Sequence, residues 1–170
     1  SVNLVLLARA YTMFATDGDV KPVPLFKTDG HVAGRPALKP ETALAVRRRL
    51  ELATQPGGTA PKAQVIGYRV AGKTGTAHKL EGRGYTNKYV SSFVGFAPVS
   101  QPRLIVAVMI DEPSAGQHYG GQVAAPVFSN VVGAALRTLG VPTDAPVNNV
   151  ILPPEGTEIR PVYDQSKFIA

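Results

Sequence analysis

The chain has 170 residues, a formal net charge of +6 and a hydrophobic fraction of 44%. This length fits one domain or a large part of one, with enough apolar residues for a buried core. The chain has no cysteine, which excludes disulfides and thiolate metal sites, and no apolar run approaches the roughly 18 residues of a membrane span. The densest positive run, Arg47-Arg48-Arg49, has no neighbouring aromatic residues to stack bases. We interpret it as a solvated helix face and expect no nucleic-acid partner.

Hydrophobic periodicity predicts three helices, with a group of strands between the second and the third. Pro40 and Pro126 suit the first turns of helices, and Gly140 suits a helix end. The last strand is apolar on both faces, so we expect it to be central in a sheet and covered by helices. In chain order the elements are a helix at 2–15, an edge strand at 20–26, a loop at 27–39, a helix at 41–53, strands at 65–76, 89–97 and 103–111, with a loop at 78–87 between the first two, and a helix at 123–139.

The order of these elements predicts an α+β fold, with an antiparallel β-sheet flanked by α-helices. We expect residues 1–140 to form part of a domain, and residues 141–170, which include five prolines, to form an extended Pro-rich tail or linker. Because the chain opens at Ser1 in a helical pattern without an initiator Met, we expect it to be cut from a longer protein. Three strands with helices on one side would expose a large apolar face, so we do not expect the chain to fold alone.

The tetrad Lys73-Thr74-Gly75-Thr76 lies inside the first of the three central strands and matches two enzyme motifs. Its first three residues match the K-T-G strand motif of penicillin-recognising serine acyltransferases. The segment 67–74 also matches the P-loop pattern G-x-x-x-x-G-K-[ST]. A P-loop needs a helix that begins at its Lys-Thr pair, but here Gly75 follows at once and strand-forming residues precede the pair. A P-loop ATPase is therefore a distant alternative.

The interpretation as a strand makes chemical sense. Gly72 and Gly75 weaken a strand, which indicates that something approaches its backbone closely, such as an extended peptide that adds to the sheet edge. Lys73 offers a positive charge for a substrate carboxylate or for proton movement, and Thr74 and Thr76 present hydroxyls on one strand face. A backbone N–H here can serve an oxyanion hole. An ordinary edge strand with a solvated lysine and small residues at a bulge explains the tetrad equally well.

Other polar residues receive structural interpretations. His31, His78 and His118 are too far apart in sequence to indicate a metal cluster, and we expect them at the surface. We interpret Asp111-Glu112 as a solvent-facing turn at a strand end, and Phe93 as a core residue. The sequence predicts no metal and no cofactor.

Three longer segments around the tetrad are specific when they are taken together: Gly67–Ala77, Tyr89–Pro98 and Tyr119–Phe128. They resemble the C-terminal half of the transpeptidase domain of class B penicillin-binding proteins, nearest to the cell-division enzymes of the penicillin-binding protein 3 type. The resemblance implies the fold that these transpeptidases share with serine β-lactamases. It also implies a peptidoglycan D,D-transpeptidase of septal wall synthesis. In such an enzyme a serine takes the acyl group of a D-Ala-D-Ala stem peptide and passes it to an amine of a neighbouring stem.

The resemblance also implies roles for individual residues. Lys73 and Thr76 would be catalytic, with the backbone N–H of Thr76 in the oxyanion hole. Thr74, Gly75, Thr76 and Tyr119 would bind the substrate or a β-lactam. The threonines would hold its carboxylate, Gly75 would leave room for its acyl chain, and Tyr119 would form a wall of the pocket.

The nucleophile of the family is absent from the chain, because no serine has Lys three places on. We expect S-x-x-K and S-x-N in an N-terminal portion of the same protein, and no covalent penicillin on this chain alone. The resemblance implies three further partners: D-Ala-D-Ala stem peptides, β-lactams and divisome membrane proteins. It places the protein at the periplasmic face of the bacterial inner membrane, with the anchor outside this chain. The alternative is a non-catalytic binding module that has lost the serine.

Overall fold

The computed structural model describes residues 3–24, 32–82, 84–152 and 154–155. His31, parts of the predicted strand at 20–26 and loop at 27–39, and residues 156–170 lie outside these ranges. The helices are α1 (Leu4–Ala15), α2 (Pro40–Leu52), α3 (Gly120–Val123) and α4 (Ala125–Thr138), with a 3-10 turn at Pro61–Ala63. The strands are β1 (Asp19–Val20), β2 (Arg35–Pro36), β3 (Ala71–Glu81), β4 (Gly84–Ala97) and β5 (Leu104–Asp111). The predicted α+β class with an antiparallel sheet is confirmed, since β3, β4 and β5 form one such sheet.

The three predicted helices are present, and the last one is divided. Pro40 is the first residue of α2, and Pro126 lies in the first turn of α4, as predicted. Ala124 separates α4 from the short helix α3, which the periodicity did not predict. The division places the start of α3 beside the sheet.

Helix α1 is capped at both ends by side chains. The Asn3 side-chain oxygen accepts the Leu6 N–H at 2.8 Å, which makes Asn3 the N-cap. At the other end, the Arg47 guanidinium of α2 donates to the carbonyls of Phe14 (2.7 Å) and Thr16 (2.8 Å). A positive charge at this end satisfies unpaired carbonyls and opposes the helix dipole. Arg47 therefore joins α2 to α1, and its interpretation as part of a solvated face is wrong.

The order of the described strands is β3-β4-β5, which leaves β5 at an edge of this part of the sheet; that β5 is central in the complete sheet stays a prediction. Among the described strands β5 pairs with β4 alone, and its apolar character comes from helices on both faces. Ile105 packs against a cluster that includes Tyr11 and Phe14 of α1. Val106 and Val108 pack against the cluster to which α4 belongs. The helices thus cover both faces of the sheet, rather than the single face that was predicted.

The β3–β4 hairpin differs most from the prediction. Strand β3 begins at Ala71, because residues 65–68 form a turn in which the Tyr68 N–H donates to the Val65 carbonyl at 3.1 Å. The hairpin continues through most of the predicted loop at 78–87, and this ribbon projects past Asp111, where β5 ends. Because both faces of the ribbon meet solvent, its sequence lacks the apolar alternation of a half-buried strand.

The main core lies between the sheet and α4. Phe93, Phe128, Val132 and Leu136 are fully buried, and the Phe93 and Phe128 rings meet edge to face with centroids 4.8 Å apart. The prediction of Phe93 as a core residue is therefore confirmed. Gly72 belongs to this packing as well, since a Cβ at this position would overlap the Phe93 ring.

The described start of the predicted tail lies against the rest of the chain. Residues 141–152 contain no helix or strand, as expected for an extended segment. The Asn149 side chain, however, forms three hydrogen bonds with the turn at 65–68. The Asp144 carboxylate accepts the backbone N–H groups of Arg69 (2.7 Å) and Ser100 (3.0 Å). Side chains therefore anchor this stretch to the body of the fold.

One apolar surface stays open within the described ranges. No residue of α1 is fully buried, and Val5 is 56% exposed. Met109 of the adjacent strand β5 is 51% exposed. Exposed apolar side chains on neighbouring elements are typical of a surface that another segment covers. That the chain does not fold alone stays a prediction. The described part of the chain includes no helix with the length and hydrophobicity to cross a membrane.

Candidate active site

The tetrad lies on an edge strand. Strand β3 is an outer strand of the sheet, so the predicted edge position is confirmed. Across the hairpin Lys73 pairs with Val94, and Thr76 pairs with Ser91. The P-loop alternative is excluded, because the chain after Lys73 continues as a strand to Glu81 rather than as the helix that a phosphate-binding loop requires.

Thr59 approaches the tetrad from a loop. The Lys73 ammonium donates to the Thr74 carbonyl (3.1 Å) and lies 3.4 Å from the Thr74 hydroxyl. The Thr74 hydroxyl lies 3.4 Å from the Thr59 hydroxyl. One ammonium and two hydroxyls therefore stand in a row, and each has protons that a carboxylate can accept. Thr59 was not predicted. The one sequence feature that singles out this position is the preceding pair Gly57-Gly58, which indicates a turn.

Helix α3 begins directly against the tetrad. The Gly120 N–H donates to the Thr76 hydroxyl at 3.0 Å. An added Cβ at Gly120 would lie 2.6 Å from the Gly75 carbonyl oxygen, and one at Gly121 would overlap the Thr59 carbonyl. The adjacent glycines therefore let the backbone of α3 approach the strand and the loop more closely than any other residue would allow.

A row of rings borders this contact. His78, Tyr89, His118 and Tyr119 follow one another with centroid separations of 4.4, 4.0 and 4.4 Å. The middle pair, Tyr89 and His118, is stacked at an interplanar angle of 17°. Tyr119, the predicted wall residue, immediately precedes α3. The sequence did not predict that these rings meet, because the pairing of His78 with Tyr89 depends on the strand register and the stacking of Tyr89 on His118 depends on tertiary packing.

The glycines of the strand have packing reasons of their own. An added Cβ at Gly75 would lie 2.5 Å from the Ser92 hydroxyl of the neighbouring strand. Gly72 accommodates the Phe93 ring. Side chains of β4 therefore make the close approaches that Gly72 and Gly75 indicated. Clearance for an acyl chain at Gly75 stays a prediction.

Two serines, Ser91 and Ser129, form hydrogen bonds that stabilise the fold. Ser91 is fully buried, and its hydroxyl donates to the His118 carbonyl. The Ser129 hydroxyl donates to the Gln64 carbonyl at 2.6 Å, away from the tetrad. The letters S-x-N occur once, at Ser1-Val2-Asn3; that the functional S-x-N lies in the N-terminal portion stays a prediction. The Asn3 side chain caps α1, and Ser1 lies outside the described residues.

The acidic pair at the end of β5 faces solvent, as interpreted from the sequence, and both carboxylates form ion pairs with Lys79, which was not predicted. Hydrogen bonds to Glu112 (2.6 Å) and Asp111 (3.0 Å) raise the pKa of the Lys79 ammonium. The hydrogen bond between Lys88 and Glu81 (2.9 Å) raises the pKa of Lys88 and lowers that of Glu81. Within the described ranges no three metal-binding side chains gather into a cluster.

Lys73 is exposed, whereas Thr74, Gly75 and Thr76 are half-buried. Cavities of about 410 and 430 Å³ lie beside the 3-10 turn and the described start of the tail, and no residue of the tetrad lines either of them. The site in this chain is therefore a strand edge with one flank, formed by Thr59, Tyr119 and the start of α3.

Comparisons with known proteins identify the family. Residues 1–133 match the penicillin binding protein transpeptidase domain. Among curated relatives, the probable peptidoglycan D,D-transpeptidase PenA of Neisseria flavescens is 46% identical over 149 residues. The peptidoglycan D,D-transpeptidase FtsI of Escherichia coli K12 is 42% identical over 146 residues. These matches cover 87% and 85% of this chain, but only 37% and 25% of the two relatives.

A solved structure agrees with these relatives. The apo TP domain of penicillin-binding protein 3 from Burkholderia pseudomallei matches with a TM-score of 0.80 and 53% identity, over 85% of this chain and 45% of that one. The chain thus spans less than half the length of each of these proteins. The predicted resemblance is confirmed: the chain belongs to the transpeptidase domain family of class B penicillin-binding proteins and forms part of that domain.

Proposed function

We propose that this chain supplies the substrate-binding edge strand of a peptidoglycan D,D-transpeptidase that works through an acyl-serine intermediate and is acylated by β-lactams. The observation that carries the proposal is strand β3, on which Lys73, Thr74 and Thr76 present an ammonium and two hydroxyls at a sheet edge that no described strand covers. Relatives that are named peptidoglycan D,D-transpeptidases support it.

The donor stem peptide ends in a carboxylate, and the tetrad offers groups that bind one. The Thr74 and Thr76 hydroxyls each have a proton to donate, and Lys73 adds a positive charge. Hydrogen bonds to a charged group contribute about 1.5–3 kcal/mol each. The peptide backbone would run along β3 as an added strand. Gly75 would leave room for the acyl chain, and Tyr119 would form the wall beside it.

The chemistry would begin at a serine in the N-terminal portion. Its oxygen attacks the carbonyl carbon between the two D-Ala residues, and its proton passes to the lysine of S-x-x-K, with Lys73 assisting proton movement. The Thr76 backbone N–H would stabilise the oxyanion. The C–N bond then breaks, and D-Ala leaves with a proton on its amine. An amine of a neighbouring stem attacks the resulting ester, which forms the cross-link and returns the proton to the serine.

The proposal has a cellular setting that the family implies. The enzyme would act in septal wall synthesis at the periplasmic face of the inner membrane, together with divisome membrane proteins. The net charge of +6 is favourable for a protein that works on an anionic wall polymer. Residues 1–140 would complete a transpeptidase domain with the N-terminal portion.

Penicillin acylation, followed by intact mass spectrometry, tests the proposal. A protein that joins this chain to an N-terminal portion with S-x-x-K should gain one penicillin mass at that serine, and this chain alone should gain none. Thr76→Val and Lys73→Gln should each slow acylation about tenfold or more, because each removes a partner of the carboxylate. Lys62→Gln, which lines a remote cavity, should change the rate less than about twofold. Penicillin on a serine of this chain, or normal acylation of Thr76→Val, would contradict the proposal.

A non-catalytic binding module is the second candidate, favoured by the edge position of strand β3, since a strand edge can bind an extended peptide without any chemical step. Such a module would bind a D-Ala-D-Ala peptide reversibly and would show no adduct even in the joined protein. Equilibrium binding of an acetylated Lys-D-Ala-D-Ala peptide, measured beside the mass spectra, separates the two candidates.

A further inference from the structure

Two hydroxyls from facing strands hold the segment His118–Gly120. Thr76 of β3 and Ser91 of β4 are direct cross-strand partners, so their side chains lie on one face of the sheet. The Thr76 hydroxyl accepts the Gly120 N–H at 3.0 Å, and the Ser91 hydroxyl donates to the His118 carbonyl. The pair therefore binds the segment on both sides of Tyr119.

Because Ser91 is buried, its hydroxyl depends on the hydrogen bond to the His118 carbonyl. Its exposed fraction is 0%, so water cannot replace the His118 carbonyl as the partner of the hydroxyl. A buried hydroxyl without a partner is destabilising, and no buried side-chain nitrogen or oxygen among the described residues lacks one. The position of the segment and the burial of Ser91 therefore depend on each other.

A third side chain of the hairpin fixes the same segment. The Tyr89 ring stacks on the His118 ring at 4.0 Å, and the His118 ring lies 4.4 Å from that of Tyr119. Tyr89 is two residues before Ser91 on the same strand, so both side chains leave β4 on one face. The hairpin thus holds both the backbone and the ring of His118, and Tyr119 follows directly from a residue with little freedom to move.

The contact with Gly120 also orients the Thr76 hydroxyl. A hydroxyl has one proton and two acceptor lone pairs. Because the Gly120 N–H takes one lone pair of Thr76 at 3.0 Å, the proton of this hydroxyl points elsewhere and stays available to a ligand. Glycine is required here, since an added Cβ would meet the Gly75 carbonyl oxygen at 2.6 Å and push α3 away from the strand.

We propose that Ser91 and Gly120 are positioning residues of the binding site. Ser91 holds the His118 carbonyl and so sets the position of the Tyr119 wall. Gly120 holds the Thr76 hydroxyl in the rotamer that donates its proton to the carboxylate of the ligand. The inference rests on the proposed function, since it assigns Tyr119 and Thr76 to the binding of a stem peptide or a β-lactam.

The first test separates binding from chemistry in the joined protein, with a fluorescent penicillin as the probe. Ser91→Ala should raise the dissociation constant of the initial complex about three- to tenfold, with the acylation rate constant at saturation nearly unchanged, because the wall acts before the chemical step. In a Tyr119→Ala background the same change should have little further effect. Fully additive effects of the two substitutions would overturn the role of Ser91.

Ser129→Ala is the matched control, because Ser129 also donates to a backbone carbonyl but lies away from the tetrad. It should lower the free energy of unfolding about as much as Ser91→Ala, by the cost of one such hydrogen bond, and leave penicillin binding unchanged. A rise of the dissociation constant in Ser129→Ala equal to that in Ser91→Ala would show that the effect is one of general stability.

The second test does not depend on catalysis. Amide hydrogen exchange at Gly120, followed by NMR in the joined protein, should accelerate about tenfold in Thr76→Val, which removes the acceptor of this N–H. Thr74→Val, on the same strand face, should leave the exchange at Gly120 unchanged. Unaltered exchange in Thr76→Val overturns the contact, whatever the activity. A wild-type protein that shows the expected exchange but takes up no penicillin overturns the proposed function instead.

Discussion

The two outer strands of the sheet are packed in opposite ways. Beside β3, the backbone of Gly120 and Gly121 approaches the carbonyls of Gly75 and Thr59 so closely that a single added carbon would not fit. Beside β5, helix α1 has no fully buried residue and leaves apolar side chains such as Val5 open. We infer that contacts within this chain fix the surroundings of strand β3, whereas the side of α1 and β5 depends on a further segment for its burial.

The largest effect is expected in the core beneath α4. Phe128→Ala removes a fully buried ring that meets Phe93 edge to face. The free energy of unfolding of the joined protein should fall by about 3–5 kcal/mol, because the substitution loses the transfer free energy of the ring and leaves a cavity. Urea denaturation followed by circular dichroism measures the change.

A substitution on the exposed face of helix α1 tests whether another segment covers this face. Val5→Ala should cost well under about 1 kcal/mol wherever Val5 stays 56% exposed. In the joined protein it should cost more, about 1–2 kcal/mol, if the N-terminal portion covers this face. A cost well under about 1 kcal/mol in the joined protein would show that another surface receives the missing segment.

An added side chain at Gly121, which lies close to the Thr59 carbonyl beside β3, should have the next largest effect on stability. Gly121→Ala places a Cβ against the Thr59 carbonyl, so the start of α3 must move. We expect a loss of about 1–3 kcal/mol in the free energy of unfolding and a penicillin acylation rate that is at least about tenfold slower, because 1 Å of misplacement at a site is costly.

Gly84→Ala is the control for this substitution. Gly84 begins β4, and an added Cβ there meets no atom within 4 Å. Its cost should stay within about 0.5 kcal/mol, as for other surface substitutions. If Gly84→Ala were as harmful as Gly121→Ala, backbone conformation rather than the close approach of α3 would be responsible.

A smaller effect is expected where α2 meets α1. Arg47→Gln removes charge-assisted hydrogen bonds to the carbonyls of Phe14 and Thr16. The loss should be about 1.5 kcal/mol in the free energy of unfolding, partly because the end of α1 loses its cation. Arg48 of the same run is exposed, so Arg48→Gln should leave the free energy of unfolding nearly unchanged. Thermal unfolding of both variants measures the difference.

The smallest effect concerns the projecting hairpin. The pKa of Glu81 is lowered by its hydrogen bond to Lys88, so this pair stabilises the fold above the unfolded pKa of Glu81. The contribution is lost as the pH falls through the lower, folded pKa. Lys88→Gln should raise the pKa of Glu81 toward its ordinary value, as NMR titration of the carboxyl carbon would show. Lys79→Gln should raise it less, since Lys79 acts on Glu81 only through its charge.

The sequence predicted the parts of the fold that depend on local pattern. The helices, the tetrad on an edge strand and the core position of Phe93 all follow from periodicity and residue type. Among the described strands β5 lies at an edge, which its sequence did not indicate, because apolar residues on both faces report the helices that pack on a strand and not the strands that pair beside it. The hairpin was predicted too short for a related reason: its outer part, around Leu80 and Tyr85, buries neither face.

By itself, then, the sequence determined the family and the position of the tetrad on a strand, because motif letters and hydrophobic spacing are properties of neighbouring residues. Only the tertiary structure decided what surrounds Thr76. Gly120 reaches its hydroxyl from 44 positions further along the chain, and Ser91 reaches the His118 carbonyl across 27. No spacing rule joins residues at such separations, since their contact depends on how the hairpin, α3 and the core beneath α4 pack together.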